Sequence, residues 1–503
     1  MIDARQPARA HHAWQHFVET SLDALLAPGE TADPAERALQ LFQAAAHEVP
    51  AYRALLAEAG IDPARIKDPH DFQHLPLLTK PNYVRRYPLA ERVRGGRLEA
   101  CDMIAVSSGS TGEPIFWPRF QSDEAAIAVR FEQVFADSFQ ADRRRTLALV
   151  CFALGSWVGG LYTLACCRLL AAKGYPILCV APGNNKAEIW RVAKALAPGF
   201  DQTVLLGYPP FLKDVIDGGI AAGIDWRPWQ VKLVMAGEVF SEEWRTLVGE
   251  RLGVADFCYG QASLYGTADA GVLGNETPLS IAVRRFLAAT PKAARELFGE
   301  SRLPTLAQYD PMSRYFEVVE DGTLAVSGDN SAPLIRYHIA DRGGLASYDH
   351  MLAFCRDHGF DPMAVLAHEG WRGARRLPFV HVFGRADFTV SYFGANIYPE
   401  NLAVGLEQPG IREWVTGKFV LQAVEGLNAE PHLAVAVELA PGENTSEARQ
   451  RAAERSILEQ LLRLNSEFAN YAPPERRDIR VRLLPTGEPD WFPVGVKHRY
   501  TRR

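Results

Sequence analysis

The segment Val106-Ser-Ser-Gly-Ser-Thr-Gly-Glu-Pro114 sets four hydroxyl side chains, Ser107, Ser108, Ser110 and Thr111, beside Gly109 and Gly112. Glycines let successive backbone N–H groups turn toward an anion at close range. The hydroxyls add donors and an oxygen that magnesium accepts, so the chemistry open to such a loop is to cradle phosphates. The same composition also builds plain solvated turns. The Gly-Lys-Ser/Thr ending of an ordinary P-loop is missing, which argues against that class of nucleotide hydrolase.

Such a loop needs elements to position it. Upstream, helical patterns over Glu36–Glu48 and Tyr52–Ala59 lead into Pro-rich connections that include Leu75-Pro-Leu-Leu-Thr-Lys80. From about residue 102, short apolar strands at Leu147–Phe152, Ile177–Val180, Thr203–Leu206 and Val231–Met235 alternate with helices at Ser122–Ser138, Glu188–Leu196 and Ser241–Leu252, which predicts an α/β domain with largely parallel strands. After residue 310 the pattern turns to hairpins, the clearest carrying the tight-turn pair Asp321-Gly322 between Phe316 and Val326. The last segment offers strands at Leu433–Leu439 and Ile479–Leu484 around a long helix, Ser446–Asn465, as a compact α+β unit.

At 503 residues the chain is too long for one growing core, and 48% hydrophobic with 23% charged residues is an ordinary globular composition. A net charge of -6 without a long basic run argues against nucleic acid as a partner. Seven scattered cysteines, with no Cys-x-x-Cys, are expected to be reduced thiols. Thr146 to Cys167 is uncharged and long enough to span a bilayer, but Gly155, Gly159 and Gly160 interrupt it as in a buried strand-turn-helix, so no membrane partner is expected. The N-terminus lacks an apolar signal segment, which predicts a cytoplasmic protein. A homodimer is compatible with the sequence.

The loop at Ser107–Gly112 resembles the phosphate-binding signature of the acyl-adenylate-forming superfamily, which includes acyl-CoA synthetases, peptide-synthetase adenylation domains and luciferases. Val49-Pro-Ala-Tyr-Arg53, Gly60-Ile-Asp-Pro63 and Leu75–Lys80 are similar to N-terminal segments of its phenylacetate-CoA ligase branch. The resemblance implies a large N-terminal α/β adenylate-forming domain with mixed sheets and helices over 1–384, a hinge at 385–388, and a small mobile α+β domain over 389–503.

It also implies roles, residue by residue. Gly237-Glu238, after Met235-Ala236, resembles the strand-end turn that contacts adenine. Leu264-Tyr265-Gly266-Thr267-Ala268-Asp269 resembles the motif whose aromatic stacks on adenine and whose acid helps hold magnesium, with Asp in place of the usual Glu. Tyr259-Gly260 is a second match to its aromatic, without an acid four residues on. Asp341 would bind both ribose hydroxyls, Arg385 would approach the nucleotide, and Asp387 would be the pivot between domains. Lys497, in Gly495-Val-Lys497-His-Arg499, matches the catalytic lysine with altered spacing. The implied reaction uses ATP and Mg2+ to turn a small-molecule carboxylic acid into its acyl-AMP, then forms a thioester with coenzyme A. A non-CoA acceptor and a catalytically degenerate nucleotide-binding regulator are the rival readings. Trp157, Tyr162 and Tyr208, with Ala236, are expected to wall an acid pocket suited to an aryl or arylacetic substrate, although such aromatics equally serve as core.

Overall fold

The computed structural model of the chain describes residues 5–106, 115–300, 303–367, 372–385, 390–393, 395–425, 431–465, 468–469, 472–493, 498 and 500–501. The whole loop Ser107–Pro114, and with it Ser107, Ser108, Gly109, Ser110, Thr111 and Gly112, lies outside the described residues, as do Asp387 and Lys497.

The described strands, in chain order, are β1 (Met103–Val106), β2 (Phe116–Arg119), β3 (Thr146–Val150), β4 (Ile177–Val180), β5 (Gln202–Gly207), β6 (Val231–Ala236), β7 (Gln261–Thr267), β8 (Gly271–Asn275), β9 (Thr305–Gln308), β10 (Arg314–Val318), β11 (Thr323–Gly328), β12 (Leu334–Ala346), β13 (Phe379–Arg385), β14 (Val390–Tyr392), β15 (Ala395–Ile397), β16 (Val415–Glu425), β17 (Pro431–Leu439) and β18 (Ile479–Leu484). Eleven of them form one sheet in the order β10-β11-β12-β13-β9-β8-β7-β6-β5-β3-β4. Neighbours from β4 to β7 run parallel; those from β7 to β10 run antiparallel. The hairpin region read from the sequence therefore continues the parallel sheet instead of forming a second one.

The parallel part is covered on both faces, as its apolar strands require. In β3, Leu147 and Leu149 pack with the helices Lys186–Leu196, Pro209–Ala221 and Glu242–Leu252, while Ala148 and Val150 pack with Gln121–Gln133 and Val158–Ala172. This two-residue alternation is why every residue of β3 is buried. The uncharged stretch Thr146–Cys167 thus becomes β3 and the start of the helix Val158–Ala172, and no helix among the described residues is long and apolar enough to cross a membrane. All seven cysteines are free.

Two helices, Arg5–Glu19 and Leu22–Thr31, precede the helical lead-in read from the sequence. At the other end, β16, β17 and β18 form their own sheet against the helix Glu447–Leu464, which Ser446 caps by accepting from the Arg449 N–H. Residues between Tyr392 and Leu483 share a separate core, including Leu402, Trp414, Phe419, Val435 and Ile457.

Candidate active site

β5, β6 and β7 run parallel, so their C-terminal ends deliver Tyr208, Ala236-Gly237-Glu238 and Tyr265–Thr267 to one edge of the sheet, where open α/β sheets bind ligands. β1 and β2 pair in register from Met103↔Arg119 to Val106↔Phe116, which brings together the residues on either side of the loop Ser107–Pro114. The Val106 N–H donates to the Ser156 carbonyl at 2.9 Å, placing this hairpin beside Trp157, itself 38% exposed.

Tyr265 is buried at the end of β7. Its ring stacks against Phe316 at 6.4 Å and 20°, and its hydroxyl donates to Asp341 at 2.9 Å. Tyr259, the alternative aromatic, is packed in a different core and donates to the Leu366 carbonyl, away from Asp341. Asp341 stands on β12 directly opposite Arg385 on β13, so backbone pairing brings these two expected nucleotide contacts together. The residue before it, Ala340, has φ 60, a left-handed conformation that costs energy without glycine and is tolerated where packing fixes the backbone.

Asp269 is buried below the same edge, with Tyr337 donating to its Oδ2 at 2.6 Å and the Lys80 ammonium 3.4 Å away. Thr267 Oγ1 accepts from the Ala270 N–H at 3.0 Å, tightening the turn. Gly266 is required there, since a Cβ would lie 2.6 Å from the Gly271 carbonyl oxygen. From beneath, the buried guanidinium of Arg119 donates to the carbonyls of Ala268 and Asp269, and that of Arg314 to Ala270. Three consecutive carbonyls are therefore held by two arginines, which fixes where the Asp269 carboxylate can point.

Lys80 is a cation at the candidate magnesium acid that its sequence neighbourhood does not single out. Leu78 runs alongside β12, exchanging backbone bonds with Arg336 and His338 at 3.1 and 2.8 Å, and Arg336, paired with Glu317 at 3.0 Å, also donates to the Leu75 carbonyl. Thr79 and Asn82 then form a reciprocal cap that turns the chain at Lys80. The signal in the sequence is this Thr-x-x-Asn cap; the register along β12 is not encoded locally.

At the expected acid pocket, the Tyr208 ring lies across Gly237, where a Cβ would come within 2.8 Å of it, and packs edge-on against Phe152 at 4.9 Å. Gly237 also has φ 85, so only glycine fits this turn without strain. Tyr162 is buried under Arg119, 5.6 Å from the guanidinium carbon to the ring centre, among Asp123, Glu124 and Cys166. It belongs to the core on the side of the helix Gln121–Gln133, against which Tyr208 also packs. Glu238 faces the C-terminal segment: its Oε1 accepts from the His498 N–H at 3.4 Å and its Oε2 from the Tyr500 hydroxyl at 3.2 Å. His498, the residue after Lys497, is held neutral, its pKa pushed down to about 4 by burial.

No protein-family model and no curated protein matches the sequence. Among solved structures, the chain is similar to 2-hydroxyisobutyryl-CoA ligase in the postadenylation state with R3-HIB-AMP, at 17% identity and a TM-score of 0.67, covering 94% of this chain and 91% of that one. A second postadenylation structure, with 2-HIB-AMP, gives 15% identity, 95% and 90% coverage and a TM-score of 0.63. The same ligase in an open conformation with 2-HIB-AMP and CoA gives 16% identity, 93% and 90% coverage and 0.52. These neighbours are acyl-adenylate-forming ligases, and the mixed α/β fold described above is the adenylate-forming ligase fold.

Proposed function

We propose that the protein is an ATP- and magnesium-dependent ligase of the acyl-adenylate-forming superfamily, in its phenylacetate-CoA ligase-like branch, that activates a carboxylic acid as acyl-AMP and passes the acyl group to coenzyme A. The observation that carries this reading is the meeting of Tyr265, Asp341 and Asp269, from β7, β12 and the turn after β7, at one sheet edge of an adenylate-forming fold.

In this reading Asp341 accepts both ribose hydroxyls, a task suited to a carboxylate with several lone pairs, while Tyr265 offers its ring to the adenine. The attacking carboxylate and the α-phosphate are both anions, so charge must be neutralised where they meet. Lys80, the amides and hydroxyls of residues 107–112, and Lys497 are the groups of this chain assigned to that task, with Arg385 beside the nucleotide. A single buried carboxylate fits magnesium, which keeps water and phosphate oxygens as its other ligands; Asp269 would hold it, and when bound it would withdraw charge from the phosphates. Arg119 and Arg314 keep Asp269 in place. The small domain, 389–503, is assigned a pivot at Asp387 that clears the site for the second half-reaction. Trp157, Tyr162, Tyr208 and Ala236 are assigned to the acid pocket, with an aryl or arylacetic acid as substrate.

A pyrophosphate-release screen tests this, with aryl, arylacetic, alkyl and short 2-hydroxy acids, each with and without CoA and magnesium. Release that requires an acid and magnesium, with CoA-dependent turnover, is expected. Release without CoA dependence would move the acceptor to another nucleophile, and silence with every acid would overturn the enzymatic reading.

A further inference from the structure

Several polar contacts between the small C-terminal unit and the large one involve β16 and the tail around Lys497, beside those of Glu407 with Ser241 and Arg412 with Glu250. Besides the bonds from His498 N–H and the Tyr500 hydroxyl to Glu238, this tail is tied to β16: His498 Nε2 donates to the Phe419 carbonyl at 2.8 Å, and the Leu421 N–H donates to the Tyr500 carbonyl at 2.8 Å. The Tyr500 ring packs on Phe419 at 5.1 Å and on His498 at 4.5 Å. One residue before Phe419, Lys418 crosses to Asp214 on the helix Pro209–Ala221 at 2.5 Å, with Glu438 at 3.4 Å as a second counter-ion from its own unit. Burial alone would lower the lysine pKa, but the two carboxylates hold it above its ordinary value, so the ammonium stays charged. The strand that carries the tail is thus itself locked to the large unit.

We propose that Tyr500 is a positioning residue for acid activation: its hydroxyl, bonded to Glu238 at the adenine-side turn, holds the two units in the arrangement in which the acyl-AMP forms, and must release before the acyl group is transferred. The inference rests on the two-step reaction proposed above. Its physical basis is that a half-buried phenol, its ring packed on Phe419 and His498, finds its acceptor across the boundary, on the other unit. A charge-assisted bond of this kind shifts an equilibrium between two arrangements by about tenfold or more.

The test uses the full chain and Tyr500→Phe, which keeps the ring and removes only the hydroxyl. With the acid found by the screen, acid-dependent ATP–pyrophosphate exchange is expected to slow by about tenfold or more, while transfer from supplied acyl-AMP to CoA is retained or quickened. Equal losses in both half-reactions would mark a merely structural role and overturn the proposal, as would unchanged exchange. Asp214→Asn, which leaves Lys418 with Glu438, is expected to shift the two half-reactions in the same opposite directions, and provides a second variant should Tyr500→Phe fold poorly. If the wild-type protein forms no adenylate, the enzymatic reading fails by itself. The latch is then judged by spin labels at Ile220→Cys and Arg451→Cys, both exposed and one on each unit. A distance distribution that moves in Tyr500→Phe supports the latch, and one that does not move overturns it.

Discussion

The Tyr265 hydroxyl lies 2.9 Å from the Asp341 carboxylate, joining residues 76 positions apart in sequence. The ring assigned to the adenine and the acid assigned to the ribose are therefore one coupled unit. Removing the acid also removes the acceptor that orients the ring.

Asp341→Ala is expected to weaken binding of AMP by about 2–3 kcal/mol, or roughly 30- to 150-fold, because a charged acceptor of two hydroxyls is lost. Tyr265→Phe should cost less, about 1 kcal/mol, since the ring remains. The double variant should fall short of the sum, because the two side chains share a bond. Isothermal titration with AMP checks all three, and strict additivity would place the two residues in separate sites.

Lys80 and Tyr337 satisfy a buried carboxylate at Asp269. Lys80→Met should leave that carboxylate without its cation and lower stability by about 1–3 kcal/mol in the absence of magnesium. If Asp269 is a magnesium ligand, adding magnesium with ATP should recover more stability in Lys80→Met than in the wild type. Urea denaturation with and without the metal nucleotide reads this directly. An equal shift in both proteins would separate Asp269 from the metal.

What was legible in the sequence followed from local physics. Asp321-Gly322 marked a hairpin because the turn needs a positive φ, and Gly322 has φ 74 between β10 and β11. The long helix read over Ser446–Asn465 is found at Glu447–Leu464, with those two residues as its caps. The long uncharged stretch was readable as strand-turn-helix because glycines interrupted it. Long-range register was not legible. Lys80 meets Asp269 only because Leu78 aligns with Tyr337 on β12, and no pattern within residues 75–80 specifies that partner. The choice between Tyr259 and Tyr265 likewise rested on an acid four residues on; only the sheet shows which hydroxyl meets Asp341. The arginines under the turn 268–270 were invisible for the same reason, since a buried cation bonded to carbonyls leaves no sequence motif.

Arg119 is one of the two arginines under that turn. It is 1% exposed and bonds the Ala268 and Asp269 carbonyls while lying over Tyr162. One terminal nitrogen reaches both carbonyls while the other donates to the Pro118 carbonyl at 3.0 Å, and a lysine has only one nitrogen for the three, so Arg119→Lys should destabilise the protein by about 2–4 kcal/mol and loosen the Asp269 turn. The specific readout is the magnesium concentration needed for pyrophosphate release, expected to rise even at temperatures where the variant is fully folded. A stability loss without that rise would limit Arg119 to packing.

Glu407 supplies a pH dependence. It lies where the small unit meets Ser241, which donates to its Oε2, and faces Glu243, Lys213 and Arg284 of the large unit. Burial, aided by Glu243, pushes its carboxyl up to about 8 against the pull of Ser241, Lys213 and Arg284. In the proposed separation of the units water reaches it, and the value returns toward the ordinary glutamate range, about 4.3. The docked arrangement therefore binds the proton more tightly, so its stability is fully present at acid pH, declines as pH rises between these two values, and is lost once pH passes about 8. Acid-dependent pyrophosphate exchange should fall as pH rises toward about 8 in the wild type and level off above it, with the slope bounded at about 1.4 kcal/mol per pH unit for a single group. Glu407→Gln, neutral at every pH, should flatten that decline. A profile that declines identically in both proteins would assign the alkaline loss to another group.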